Sequence, residues 1–489
     1  MKKVICILCC GIFLSVATAQ VEPLYFLRGN NNALLYNPGT PAFRKVYVGI
    51  GISQFQLNAG SDFLTYNNLI VKGDDGYKYL NTETLLSIFK DEDRNFMALE
   101  LQEELLGVGV SVKKMYVAAS MNLRSETSLR LPGEAFAYLL QGNGDFVGTP
   151  VRSEIVANSS TWMEFGLTVQ RTFMNKYTVG LRPKYLVGLC NVRTEDAGLE
   201  LYTDNDWNLH LQAQADAFLC MPDPDWISDQ FTGGASFAKV MGLTRQCMKG
   251  NSGFGMDLGA NAEFNKHIGA AVSLTDLGRI RWKNEAPYTM RHYTAGVNEN
   301  SSYYRDGYLT FEGVDFDCLR SVLNGETPWE GLGDTLENLF SYEEERLSHT
   351  SSYTTGLNPK LMLEAHYSFT ENHRVYLLNR TDFHPEKVRT SFSLAYSGHF
   401  ASFFDLALSY SFRNQPAMRH ALGIGANFHC SLLNFYFSLY NISLDFENGY
   451  YQWKNLNSIA LQTGVYFSLG QRDAAKNKKK KTKTKEKEG

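Results

Sequence analysis

Cysteine is scarce in this chain of 489 residues, with eight in all. Three fall in the first ten positions, and Cys190, Cys220, Cys247, Cys318 and Cys430 are scattered without a CxxC pair. Such a set makes neither a disulfide framework nor a zinc site. Beyond the N-terminus there is no apolar run of about 18 residues, so no transmembrane helix is expected. GxSxG, HExxH and Walker sequences are also missing, and with them the commonest hydrolase, metalloprotease and nucleotide-binding signatures. "GFGMDLG" at 253–259 approaches a dinucleotide-binding loop, but its third glycine comes one residue late. It also lies within an alternating strand, so its glycines are read as thinning a sheet wall. No enzyme and no cofactor is expected.

The two ends carry address information. Met1-Lys2-Lys3, an apolar stretch from Val4 to Val16 and Ala17-Thr18-Ala19 read as a secretory signal peptide over 1–19, cleaved before Gln20. Cys9 and Cys10 lack lipoprotein spacing, so lipidation is not expected. From Gln471 to Gly489 the chain carries nine Lys/Arg against three Asp/Glu, although the whole is net -4. The body is therefore acidic and the basic tail an appendage. In an exported chain that tail does not point to nucleic acid; it reads as a disordered periplasmic segment or as an electrostatic tether to anionic headgroups or cell wall.

Aromatics are 13% of the residues, with 27 Tyr and 31 Phe, which suits strands with one face in an apolar or interfacial setting. Apolar and polar residues alternate from Trp207 to Leu219, from Phe254 to Phe264 and from Ile459 to Leu469. This period of two is that of a strand with unlike faces. Comparable runs begin near Val46, Met115, Thr161, Tyr177, Lys360, Thr390, Phe403, Arg419 and Phe435. Strands about 10 to 14 residues long exceed the usual globular length and match a tilted crossing of a bilayer. Tight connections at Lys113-Lys114, Asn175-Lys176, Asn265-Lys266 and Thr370 to Asn372 alternate with long ones at 58–103, 128–159, 220–252 and 283–358. These features predict an all-β transmembrane antiparallel barrel over residues 20–470, of about 14 strands within a range of 12 to 16. Its long extracellular loops contain short helices from Asn81, Leu131 and Gly333. Trp162, Trp207, Trp282 and Trp453 are expected near strand ends as interfacial girdle residues.

Candidate lumen-lining residues are Arg182, Lys184, His210, Asp216, Asp257, Glu263, Glu364, His366 and Asp405, with His429 on the same predicted face. Scattered hydrophilic lining explains the histidines better than a metal or acid-base site.

Two stretches carry a resemblance. "LLYNPGTPAFRKVYVGIGISQF" sets an Asn-Pro-Gly turn before the first strand, and "AAVSLTDLGRIRW" contains a Thr275-Asp276-Leu277-Gly278 turn followed by Trp282. Together with "YTVGLRPKYLVGLCNV" and a helix running into Gly142-Asn143-Gly144, these resemble an uncharacterised family of Bacteroidota outer-membrane β-barrels, over roughly residues 24 to 470. That family looks related to FadL-type fatty-acid transporters and to PorP/SprF- and PorV-like barrels of type IX secretion. The resemblance implies fold and location and transfers no site. It leaves two readings of Asn37, Pro38 and Gly39: an N-terminal hatch inside the barrel, or an ordinary turn into strand one.

The expected function is a passive channel or transporter for a small and, in one form of the reading, hydrophobic molecule. The alternative is a non-transporting envelope scaffold, such as a secretion or gliding accessory, that binds an envelope protein. Expected partners otherwise are outer-membrane lipid and the barrel-assembly machinery.

Overall fold

The structure, a computed structural model, describes residues 23–27, 30–61, 65–73, 77–90, 95–141, 144–223, 242, 245–248, 250–311, 338–385, 388–401, 403–413, 420–443, 446–447, 450–451 and 458–471. The expected signal peptide at 1–19, the lysine-rich tail after Gln471, Cys318, Trp453 and Gly142-Asn143 lie outside these residues.

The main strands are β1 (Arg44–Ser61), β2 (Phe96–Val112), β3 (Met115–Arg130), β4 (Val156–Phe173), β5 (Tyr177–Thr203), β6 (Leu209–Pro222), β7 (Ser252–Glu263), β8 (Ile268–Lys283) and β9 (Tyr288–Val297). They continue as β10 (Phe340–Arg346), β11 (Ser352–Gly356), β12 (Lys360–Ser368), β13 (His373–Phe383), β14 (Val388–Ala401), β15 (Phe404–Arg413), β16 (His420–Cys430), β17 (Leu433–Ser443) and β18 (Ser458–Gln471). Fourteen of them, with β11 and β12 counted as one interrupted strand, form a closed antiparallel barrel. β1 closes the ring, pairing with β18 through Tyr47↔Ser468 and with β2 through Tyr47↔Gly109.

Period-two alternation explains why these segments form this wall. On β18 the side chains of Val465, Phe467 and Leu469 are exposed, while Tyr466 and Ser468 are buried. On β15, Leu408, Tyr410 and Phe412 point outward and Asp405, Ser409, Ser411 and Arg413 are buried inside. Apolar outside and polar inside inverts a soluble protein and requires lipid as the outer solvent. No described helix is long and apolar enough to cross a membrane; the strands do so. Arginine at Leu408, halfway along β15, should therefore cost about 2–4 kcal/mol. A lowered denaturant midpoint in lipid vesicles checks this, and an unchanged midpoint would remove that face from lipid.

Four sequence expectations change. The alternating run after Trp207 does form β6, but β6 is not a wall strand: it pairs with the far half of β5 (Leu201↔Leu211) and with β9. With β10, which pairs with β9, these strands project as an extension from the long-loop end. Trp162 and Trp282 are not girdle residues. They are fully buried with Leu186, Val187, Ile280, Tyr288 and Met290, because the extension covers the inner face of the upper wall. The Thr275-Asp276-Leu277-Gly278 segment is not a turn ending a strand but a bulge within β8, opposite Met256 to Leu258 of β7. Finally, of the segment from Gly333, residues 333–337 lie outside the described residues and Phe340 to Glu345 are strand, belonging to β10.

Two loop helices match expectation. α1 (Thr82–Phe89) starts where the Asn81 side chain accepts from the Thr84 amide at 3.2 Å, an N-cap that satisfies one of the four free amides of the first turn. α2 (Gly133–Gln141) packs on α1 through Phe89 and Phe136, with ring centroids 5.3 Å apart.

Candidate functional site

Residues 23–27 and 30–42 run inside the barrel. Leu24, Phe26 and Leu27 are completely buried against Tyr376, Leu378, Ala395 and Ala407 of the wall, each contributing about 1.5–3 kcal/mol relative to exposure. The segment touches the wall on all sides. Asn31 Nδ2 donates to Tyr116 Oη at 3.1 Å, Gln170 Nε2 to the Pro38 carbonyl at 2.9 Å, and Ser273 Oγ to the Tyr36 carbonyl at 2.8 Å. From the opposite wall Gln462 Nε2 reaches Tyr36 Oη at 2.5 Å. Asn37, Pro38 and Gly39 thus lie in the lumen, against Gly180 of β5 and Gly259 of β7. A Cβ at Gly180 would collide with the Pro38 carbonyl, and one at Gly259 with Asn37 Oδ1 and Gly39 N. The glycine of the false dinucleotide loop thins the wall to seat this turn.

Tyr25 donates its hydroxyl proton to Glu364, which also lies 2.7 Å from His366 Nδ1. His366 Nε2 is 3.2 Å from Glu263, itself paired with Arg374 at 3.2 Å. Tyr25→Phe should destabilise the protein by about 1–3 kcal/mol, because a buried carboxylate loses a donor. The check is the denaturant midpoint together with protease access to residues 23–42; unchanged values would mean that the Tyr25–Glu364 hydrogen bond does not hold the segment in place.

Above the segment an ionic cluster crosses the lumen. Glu164 of β4 pairs with Arg182 at 2.6 Å, Arg124 at 3.1 Å and Lys184 at 3.5 Å. Asp276 of β8 pairs with Arg124 and Lys184, both at 2.6 Å, and with Lys360 of β12 at 3.3 Å. Asp257 of β7 lies 2.7 Å from Lys184 and 3.4 Å from Arg182. Glu126 and Glu100 complete it, the first 2.9 Å from Arg124 and both 3.8 Å from Lys360. The bulge explains how Asp276 arrives: its φ of 58° is one that Asp tolerates. The extra residue also frees the Asp276 amide to donate to Asp257 Oδ1 at 2.7 Å. Between the cluster and Tyr36 remains a void of about 40 Å³.

On the long-loop side of the cluster is a cavity of about 280 Å³, near the lower end of small-molecule sites. Phe96, Leu99, Trp162, Ile280 and Leu357 make its apolar part; Ser160, Asn191, Thr354 and Asn358 its polar part; Glu126 and Lys360 belong to both cavity and cluster. Trp162 Nε1 is buried with no hydrogen-bond partner among the described residues. His384 at the rim is neutral, since burial and then the neighbouring Arg389 charge lower it to about 4.

The residues singled out from sequence therefore divide among four places. Arg182, Lys184 and Asp257 join in the ionic cluster; Glu263, Glu364 and His366 surround Tyr25; Asp405 lies with His429 near the short-turn end. His210 and Asp216 do not line the lumen, because they sit on β6 in the extension. His210 bridges Asp204 at 3.1 Å and Thr310 at 3.0 Å, and Asp216 faces His292 at 3.2 Å. Asp204 is held down to about 2, first by the Asn208 side chain. Sequence reading missed Glu164, Arg124, Asp276 and Lys360. Glu164 and Arg124 sit at alternating positions of β4 and β3 and were open to the same test that found Arg182; Asp276 was hidden by the bulge's break in period.

These features define a membrane-spanning β-barrel whose lumen is stoppered by its own N-terminal segment and an ionic cluster. The chain belongs to the family of unknown function DUF5723, which matches residues 38–439. No curated protein matches it. Among solved structures it is similar to the Pseudomonas putida toluene transporter TodX, at 9% identity and TM-score 0.41, over 93% of this chain and 98% of that one. It is likewise similar to the Ralstonia pickettii toluene transporter TbuX, at 7% identity and TM-score 0.41, over 92% and 98%. A Pseudomonas aeruginosa FadL homologue matches at 8% identity and TM-score 0.37, over 93% and 97%. At these identities no residue is carried over from them.

Proposed function

We propose that the protein is an outer-membrane conduit for a small amphipathic molecule, closed in this conformation. The observation that carries the reading is the alignment of three features along one lumen: a mixed apolar and polar cavity, an ionic cluster beneath it, and a stopper made of residues 23–27 and 30–42 of the same chain. Solute enters from the long-loop, extracellular side and is held between Trp162 and the Lys360–Glu126 edge. It passes when the cluster and the stopper shift, and the short-turn end delivers it to the periplasm. A lining that combines Phe96 and Leu99 with Asn191 and Asn358 suits a molecule with both kinds of surface better than a purely hydrophobic one.

The second reading, a scaffold for an envelope protein, is favoured by one observation: β6, β9 and β10 form a sheet beyond the wall that lumen traffic does not need. Solute uptake into proteoliposomes separates the two. Transport predicts saturable entry of a small amphipathic probe, at a rate lowered by Trp162→Ala. Vesicles holding folded, heat-modifiable barrel that admit no probe would favour the scaffold.

A further inference from the structure

At the short-turn end, away from the cavity and the cluster, three side chains converge that neither transport nor the stopper uses. His399 lies near the end of β14, Asp405 near the start of β15 and His429 near the end of β16. Strand register sets them side by side, with His399 opposite Asp405 and Asp405 opposite Asn427. Asp405 Oδ1 contacts His399 Nδ1, and Asp405 Oδ2 is 2.7 Å from His429 Nε2. We propose that His399, Asp405 and His429 bind a divalent first-row transition ion, zinc being the best match, which ties three consecutive strands together at the short-turn mouth.

Two imidazoles and a carboxylate are the donor set of many zinc and non-haem metal sites, with the remaining position left to water. Their ligand atoms lie within 4.8 Å of one another. Bonds of about 2.0–2.1 Å need ligand atoms roughly 3.3 Å apart, so binding draws the two imidazoles toward each other while the ion replaces their direct contacts with Asp405, which open from 2.7 Å on the His429 side.

The surroundings are built for a metal-bound imidazole. A ligating histidine ordinarily donates its other N–H to a fixed acceptor. Here Asn434 Oδ1 stands 2.6 Å from His429 Nδ1. Its amide orientation is settled, since Nδ2 donates to Ser468 Oγ at 2.9 Å and to the carbonyls of Leu432 at 3.1 Å and Tyr466 at 3.3 Å. Arg44 Nη2 lies 3.0 Å from the same Nδ1 and, being able only to donate, makes the opposite demand. An ion on Nε2 resolves the conflict: the proton stays on Nδ1 facing Asn434, and Arg44 turns away. A second sign is Asn427, wholly buried, whose Nδ2 lies 3.3 Å from Asp405 Oδ2 while its Oδ1 has no hydrogen-bond partner among the described residues. Turning that amide over presents an oxygen to the ion.

The test uses the full chain without a polyhistidine tag, refolded in detergent, stripped with chelator and titrated with Zn²⁺ and with Co²⁺ as a spectroscopic probe. One ion per chain is expected, with ligand-field bands for Co²⁺. His429→Ala and His399→Ala should weaken affinity at least about 100-fold, and Asn434→Ala about 10–100-fold. His210→Ala, on the distant extension, should leave binding unchanged. Heat-modifiability certifies that each variant is folded. The proposal is overturned if the folded wild-type protein binds no more ion than the His399→Ala/His429→Ala double variant, or if His210→Ala lowers binding as much as His429→Ala. These outcomes are independent of solute uptake.

Discussion

Replacing Glu164 with alanine should destabilise the protein by about 3–5 kcal/mol, because breaking a buried pair leaves its partners charged and uncompensated. Glu164 is fully buried and faces Arg182, Arg124 and Lys184 within 3.5 Å. Without it Arg182 keeps only Asp257, at 3.4 Å, among the ion pairs of the described residues. The measurement is the denaturant midpoint of the refolded barrel in vesicles. Glu195→Ala is the control: its pair with Arg193 is on the surface and half exposed on the acid side, so its loss should cost no more than about 1 kcal/mol. If the two variants shift the midpoint equally, the cluster is not held as a desolvated unit. Glu164→Gln should fall between them, since the amide keeps one acceptor for Arg182 but gives up the charge.

Excising residues 23–42 should turn a silent barrel into a conducting one. Barrels of about eight strands are filled by their own side chains, whereas those of about 16 to 18 leave an aqueous channel. Fourteen strands lie between, and here the chain fills the difference with Leu24, Phe26, Leu27 and Tyr36. Wall closure does not depend on that segment: β1 begins at Arg44 and pairs with β18 from Gln471 onward. The excised protein should therefore still insert and show heat-modifiability. In planar bilayers it should give discrete steps where the full chain gives none. The steps should prefer cations, because the cluster left in the lumen holds five carboxylates against Arg124, Arg182, Lys184 and Lys360. A folded excision variant that stays silent would mean that the ionic cluster alone seals the barrel.

Much of the wall was legible along the chain because a lipid-facing strand must alternate, and alternation is local. Val465, Phe467 and Leu469 could be placed outside, and Gly464, Tyr466 and Ser468 inside, from their order alone. Turns such as Lys113-Lys114 stood out for the same reason. The run ending at Leu219 misled because alternation identifies a strand without naming its neighbour: β6 alternates as well as any wall strand, yet its partner is the part of β5 beyond the barrel. The tryptophans misled because an aromatic at a strand end suits a membrane interface and a buried neck equally. Trp162 and Trp282 became core only because β6 and β9 fold over them.

By itself the order of residues determined what each strand shows to lipid and to the lumen, since that depends on steps of two along one segment. Only the tertiary structure decided which lumen residues meet. Arg124 and Asp276 are 152 positions apart and touch because five neighbouring strands curve until a chord across the lumen is one salt bridge long. The same curvature decided the fate of Asn37-Pro38-Gly39. Whether that turn leads into β1 from outside or lies within the ring depends on how much space fourteen strands enclose after their own side chains are counted, and that is a property of the closed wall.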